Sequence, residues 1–285
     1  MFKVVRLKKL PIILGIVMVF TVSLCLKAAQ SRGESENSSA LKVPIIMYHN
    51  ISSREDLWGD YVISPQLFEE DMIYLKNEGY EAITVNELIM HQKYGTELPQ
   101  KPVIITLDDG QLSSLTKALP IIKKHDLKMT VSVVGSYAAA AMEQASPDDN
   151  TDYLDDKDIN ALRESGVCEI ACHSYDMHSL DDRRGVLRNK GESFERYRSA
   201  FLGDILKVQN FFNDKCGFKA NVFCYPYGFY DSAAQKVVKS AGFEAALTCE
   251  EGINIITDEQ SLYTLKRFNR PYGSSSREFF EGILK

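Results

Sequence analysis

The chain has 285 residues, 45% of them apolar and 25% charged, enough for one large domain or two small ones. Of its 33 basic and 39 acidic side chains, six and two fall in residues 1–37, leaving 27 and 37 in residues 38–285, a net of −10. That acidic balance argues against a nucleic-acid partner.

The N-terminus comes first in chain order and stands apart. Lys3, Arg6, Lys8 and Lys9 precede the uncharged run Leu10 to Leu26, and a polar stretch follows from Gln30 to Ser39. A basic region followed by an apolar one is an export signal. The run of 17 residues is at the short end of the roughly 17–25 that span a bilayer. Leu26-Lys27-Ala28-Ala29 is a passable cleavage site, and Val22-Ser23-Leu24-Cys25 is a poor lipobox because Leu24 is not small. Residues 1–29 are therefore expected to be a signal peptide or an uncleaved membrane anchor, the anchor being favoured, with a linker over 30–41. Positive charge ahead of the span places the rest outside the membrane.

A folded domain is expected over 42–285. Val43 to Tyr48 reads as a strand. Ser64-Pro65 opens a helix whose apolar positions Leu67, Phe68, Met72 and Leu75 recur at helical spacing up to Gly79. Glu81 to Thr84 is a short strand, and Thr84 with Glu87 forms a capping box for the next helix. The strand Val103 to Leu107 ends in Asp108-Asp109. A helix over 112–125, a strand from Met129 to Val134 and an acidic loop over 142–156 follow. Then come a helix from Lys157 to Glu164, a strand from Val167 to Cys172 and a long helix from Ser193 to Phe212. The chain closes with a strand from Val222 to Tyr225, a helix from Ser232 to Ser240, strands from Ala245 to Thr248 and Leu262 to Arg267, and a helix from Arg277 to Leu284.

Strands alternating with helices across short connections imply a parallel sheet with helical crossovers. About seven such units suit a closed or nearly closed barrel better than an open sheet. Neither GxGxxG nor GxxxxGK[ST] occurs, which argues against a nucleotide enzyme. Five cysteines follow the apolar run (Cys168, Cys172, Cys216, Cys224, Cys249), an odd number that leaves at least one thiol free or paired between chains. Cys168 and Cys172 are too far apart along a strand to bridge, and without a CxxC pair no zinc knuckle is indicated.

The chemistry gathers where strands end. Adjacent carboxylates raise each other's pKa, so a pair such as Asp108-Asp109 is costly unless one binds a cation and the other stays free as a base. His173 and His178 are five apart, about 140° out of register on a helix, so they share an ion only from a loop. Asp, His and His with an open position make a catalytic zinc site.

The strand ending in Leu107-Asp108-Asp109-Gly110, the His-Ser-x-x-x-His run at 173–178 and the later Tyr225-Pro226-Tyr227-Gly228 resemble, in this order, the motifs of the polysaccharide deacetylases. These are the NodB-homology domains of carbohydrate esterase family 4. The resemblance covers residues 42–272. The opening Pro44-Ile45-Ile46-Met47-Tyr48-His49 is similar to the branch with the exported poly-N-acetylglucosamine deacetylases, which shares the five-residue histidine spacing. Together the motifs are specific for the family and not for the substrate.

What the resemblance implies is concrete. The fold is a distorted (β/α) barrel and residues 42–285 are the catalytic domain. Asp109, His173 and His178 bind a metal, zinc or another divalent first-row ion, and Asp108 is the general base. The backbone N–H of Tyr227 stabilises the oxyanion, in a turn whose Tyr225 and Pro226 are assigned to the substrate. The reaction is removal of N-acetyl groups from an N-acetylhexosamine polymer, peptidoglycan or exopolysaccharide, outside the cytoplasmic membrane. No protein partner is implied. An O-deacetylase, or a silent glycan-binding domain of the same fold, is the alternative. Around this centre, His49 lines the pocket or is structural, and Ser174 orients the loop or forms its turn. Trp58 and Tyr61 stack on a sugar or cover the barrel mouth, with Tyr230 and Tyr272 weaker candidates. His91 and His125 are structural.

Two positions depart from the family pattern. Cys224 stands where many members have an arginine that orients the base, and Leu265-Lys266-Arg267-Phe268-Asn269-Arg270 lacks the late histidine that often supplies the general acid. Arg267, counted with the substrate-facing residues, or Arg270 is expected to replace the orienting charge. The general acid is unassigned.

Overall fold

The apolar runs of the sequence pair in parallel. In chain order they are β1 (Ile45–Tyr48), β2 (Glu81–Ile83), β3 (Pro102–Leu107), β4 (Met129–Val133), β5 (Cys168–Cys172), β6 (Val222–Cys224), β7 (Ala245–Leu247) and β8 (Phe268–Asn269). The computed structural model describes residues 41–284 apart from 145–146 and 149–151, so the expected signal or anchor lies outside the described residues. No helix among the described residues is long and apolar enough to cross a membrane.

The strand order is β7-β6-β5-β4-β3-β1-β8, with β2 also paired to β3. Registers run Ile45↔Ile104 to Tyr48↔Leu107 between β1 and β3, Met129↔Cys168 to Val133↔Cys172 between β4 and β5, and Val222↔Ala245 to Cys224↔Leu247 between β6 and β7. All six residues of β3 are buried, as in a strand covered on both faces. Beyond β7, Leu265 bridges Leu247 and Phe268 pairs with Ile46 of β1. The segment 265–269 therefore touches both ends of the sheet and nearly closes the barrel.

Helices pack outside. They are α1 (Pro65–Asn77), α2 (Val85–Tyr94), α3 (Leu119–Lys124), α4 (Gly135–Ala141), α5 (Asp156–Glu164), α6 (Phe194–Cys216), α7 (Ser232–Ser240) and α8 (Ser276–Ile283). Their starts are written in the sequence: Ser64 Oγ accepts from the Leu67 N–H, Thr84 and Glu87 form the expected capping box, and Asp231 caps α7 twice over.

Three expectations need correction. The helix over 112–125 opens as a π-turn, Ser114–Ala118, before α3. Pro120 has no N–H to give the carbonyl four residues back, and Leu119 reaches five back, to Ser114. The last strand is Phe268–Asn269; the residues from Glu259 to Thr264 form a 3₁₀ turn. Leu262 and Leu265 are buried at a spacing of three, the 3₁₀ period, which imitates a short apolar strand. Helix α4, over Gly135–Ala141, is not among the expected elements.

Candidate active site

The acidic pair sits at the C-terminal end of β3, and the backbone separates its two members. Asp109 has φ 69 and Gly110 φ 71, so the chain turns sharply as it leaves the strand. Gly110 is required there: a Cβ would come within 3.3 Å of the Val133 backbone. Asp108 is 2% exposed and points inward, whereas Asp109 is only partly buried.

Asp109 meets both histidines. Its Oδ1 lies 3.5 Å from His173 Nε2 and 3.2 Å from His178 Nε2. His173 follows β5 directly, and Ser174, at φ 67, turns the chain so that His178 comes back towards it. The ring centroids of the two histidines are 4.9 Å apart. Ser174 Oγ is buried without a hydrogen-bond partner, so among the roles expected of this serine the structure shows the turn. The loop is pinned by a residue that the sequence reading missed: Asp204 of α6 accepts from the Tyr175 and Asp176 N–H groups, each at 2.8 Å.

These three donor atoms fit a cation. Tetrahedral zinc with bonds of about 2.0–2.1 Å needs ligand atoms about 3.3 Å apart, close to the two separations around Asp109. An imidazole lone pair facing a carboxylate at that range is repulsive unless positive charge lies between them.

Asp108 is held differently. Arg267 Nη1 and Nη2 donate to Oδ1 and Oδ2 at 2.8 and 2.7 Å, a bidentate pair, and the Cys224 thiol reaches Oδ2 at 3.5 Å. Burial pushes this carboxyl up, but the Arg267 charge and its hydrogen bonds more than reverse that and hold it well below the usual carboxylate range. Arg267 is itself fully buried and also donates to the Thr248 carbonyl and to Thr106 Oγ1. With no exposed surface it cannot face a substrate, and its place among the substrate-facing residues is corrected to that of a clamp on Asp108. Arg270 is equally buried but grips Asp71 of α1, at 2.9 and 3.1 Å, away from this carboxylate.

The turn at Pro226–Gly228 lies beside the histidines. Tyr227 has φ 58 and its ring is 4.4 Å from that of His178. The turn's own bonds run from Gly228 to the Tyr225 carbonyl and from Phe229 to the Pro226 carbonyl, leaving the Tyr227 N–H out of them. The side chains of Tyr225 and Pro226 are buried, Tyr225 stacking on Tyr230, whereas the Tyr227 side chain is exposed. Gly228 presses on Cys249, where an added Cβ would lie 2.5 Å from the cysteine Cβ.

His49 follows β1 and feels the charges of both Asp108 and Asp109; burial lowers its pKa, and its Nδ1 is buried without a partner. Tyr61, 59% exposed, stands edge-on to it at 4.8 Å. Trp58 leans on Tyr272 at 4.7 Å and donates to the Ser52 carbonyl. His91 and His125 bond to the Thr96 carbonyl and to Glu69. The five cysteines of the domain are all free thiols.

Comparison with known proteins matches this arrangement. The family model for polysaccharide deacetylase fits residues 95–246, more than half of the chain. The YxkH protein of Bacillus subtilis strain 168 is 24% identical over 260 residues, covering 89% of this chain and 82% of its own. A poly-beta-1,6-N-acetyl-D-glucosamine N-deacetylase of Staphylococcus aureus strain MRSA252 is 23% identical over 226 residues, covering 79% and 72%. Among solved structures, a de-N-acetylase from Aggregatibacter actinomycetemcomitans superposes with a TM-score of 0.70 at 21% identity, covering 84% of this chain and all of that one. Carrying this fold and these motifs in order, the chain is an enzyme of the polysaccharide deacetylase family.

Proposed function

We propose that the protein is a metal-dependent N-deacetylase acting on an N-acetylhexosamine polymer outside the cytoplasmic membrane. The observation that carries this reading is the convergence of Asp109, His173 and His178 beside a carboxylate clamped by Arg267. A divalent ion held by the three ligands would supply Lewis acidity, polarising the acetamide carbonyl and acidifying water next to it. Asp108 takes the proton from the attacking water on a carboxylate oxygen. Its depressed pKa keeps it ionised throughout the neutral range, which secures its readiness at some cost in basicity. The Tyr227 N–H donates to the oxyanion as the carbonyl becomes tetrahedral. The same proton is then passed from Asp108 to the departing nitrogen, which returns the carboxylate to its ionised state. Acetate and a free amine result.

The basic and apolar N-terminus supports export, and the acidic balance of residues 38–285 fits a glycan rather than a polyanionic partner. Trp58, Tyr61 and Tyr272 offer aromatic faces at the rim for sugar rings. The test is acetate release from N-acetylglucosamine oligomers after chelation, with and without restored zinc, in parallel with O-acetylated oligosaccharides. Zinc-dependent release from the amides alone is expected; release confined to the esters refutes N-deacetylation. Asp108→Asn should lose about 10²–10⁴-fold in turnover while still binding one ion, and His173→Ala should lose both.

A further inference from the structure

Tyr137 stands on α4, and its hydroxyl meets His178 twice. The oxygen lies 3.3 Å from Nδ1 and 3.4 Å from the backbone carbonyl of the same residue. A carbonyl only accepts, so the phenol's single proton goes to it, and the contact with Nδ1 then requires the proton to be on nitrogen. A neutral His178 protonated at Nδ1 carries its lone pair on Nε2, the atom 3.2 Å from Asp109 Oδ1. That is the tautomer a ligand must have. His173 reaches the same state by another route, its Nδ1 donating to the Cys224 carbonyl at 2.8 Å.

The tyrosine is itself held. Its ring lies 4.5 Å from that of Tyr153, and Tyr153 is bridged to Gln111, two residues beyond Asp109. Tyr153 thus packs on Tyr137, whose own ring meets that of His178 edge-on at 5.8 Å. Resting on the reading of Asp109, His173 and His178 as a metal centre, we propose that Tyr137 is a positioning residue for ion binding. Its hydroxyl fixes the tautomer and ring angle of His178, and Tyr153 keeps that hydroxyl in place. Partners of this kind set the orientation and basicity of ligating histidines.

The test compares the full chain with Tyr137→Phe, which removes the hydroxyl and keeps the ring against Tyr153. Zinc affinity, measured by competition with a chromophoric chelator, should weaken about 10- to 100-fold. With Co²⁺ in place of zinc, the parent chain should show two hyperfine-shifted exchangeable imidazole N–H signals. The variant should keep that of His173, bonded to a carbonyl, and lose that of His178 to exchange with water. Unchanged affinity with both signals retained overturns the role of Tyr137 and leaves the metal centre standing. Loss of both signals together indicates general loosening and also overturns it. A parent chain that binds no zinc, or whose binding survives His178→Ala, removes the metal centre and this proposal with it.

Discussion

Replacing Arg267 by methionine tests the clamp on Asp108 most directly. The two charges approach to 2.7 Å, with side chains 0% and 3% exposed. At an effective dielectric constant of about 20, that separation corresponds to an attraction of about 6 kcal/mol, against which both groups have lost their water. Removing one partner strands the other, so Arg267→Met should cost about 3–5 kcal/mol of stability at neutral pH. In a cycle with Asp108→Asn, followed by urea unfolding, the coupling should be about 3 kcal/mol. The pH dependence carries a sign of its own. In the parent chain the folded pKa of Asp108 is depressed, so its contribution is present above about 3.9 and is lost as pH falls towards the folded value. In Arg267→Met, burial is opposed only by the weaker pull of His173 and His49, so the folded pKa rises and stability drops as pH climbs from about 4 towards that value. The gap between the two chains should therefore widen from pH 4 to pH 7. A coupling below about 1 kcal/mol, the size of an exposed pair, would refute the reasoning.

Other outcomes follow from the same structure. Arg270→Met breaks the equally buried pair with Asp71 and should also cost about 3–5 kcal/mol, yet zinc affinity by chelator competition should not change. Gly228→Ala adds a Cβ 2.5 Å from that of Cys249 at a position with φ +68; turnover should fall by about 10²-fold as the Tyr227 N–H is displaced, and unaltered kinetics would remove that donor from the mechanism. Burial raises Glu169 to about 7, against hydrogen bonds from Thr130 and from the Asn86 and Val85 N–H groups. A raised carboxyl pKa means stability falling as pH rises from about 4.3 to 7, so Glu169→Gln should gain about 2–3 kcal/mol on the parent chain between pH 5 and pH 8, read from urea midpoints.

The strands and helices were legible because their caps and apolar periods are local. Thr84 and Glu87, or Ser64 and Pro65, announce a helix without reference to anything distant. The closing strand was not, because Leu262 and Leu265 are buried at a spacing that serves a 3₁₀ turn as well as a short strand. Helix α4 was overlooked although the run Ala138-Ala139-Ala140-Ala141 has high helix propensity. At the centre, Asp108, Asp109, His173 and His178 announce themselves as a pattern, and the structure brings them together. The groups that hold them do not. Asp204, Tyr137 and Arg267 meet their partners across 28, 41 and 159 positions respectively. An arginine late in the chain could be named as a replacement charge, but only the fold separates Arg267, on Asp108, from Arg270, three residues on and committed to α1.

Barrel closure through residues 265–269 links the chain's assembly to its chemistry. The span that matches the family, 95–246, holds the carboxylates, both histidines and the Tyr227 turn, yet His49 precedes it and Arg267 follows it. The first and last strands must find each other across more than two hundred residues, the slowest kind of contact for a chain to make. A nascent chain on which every motif has already emerged would still carry Asp108 without its counter-charge. Hydrolytic competence then waits on barrel closure, because Asp108 has its counter-charge only once residues 265–269 are docked.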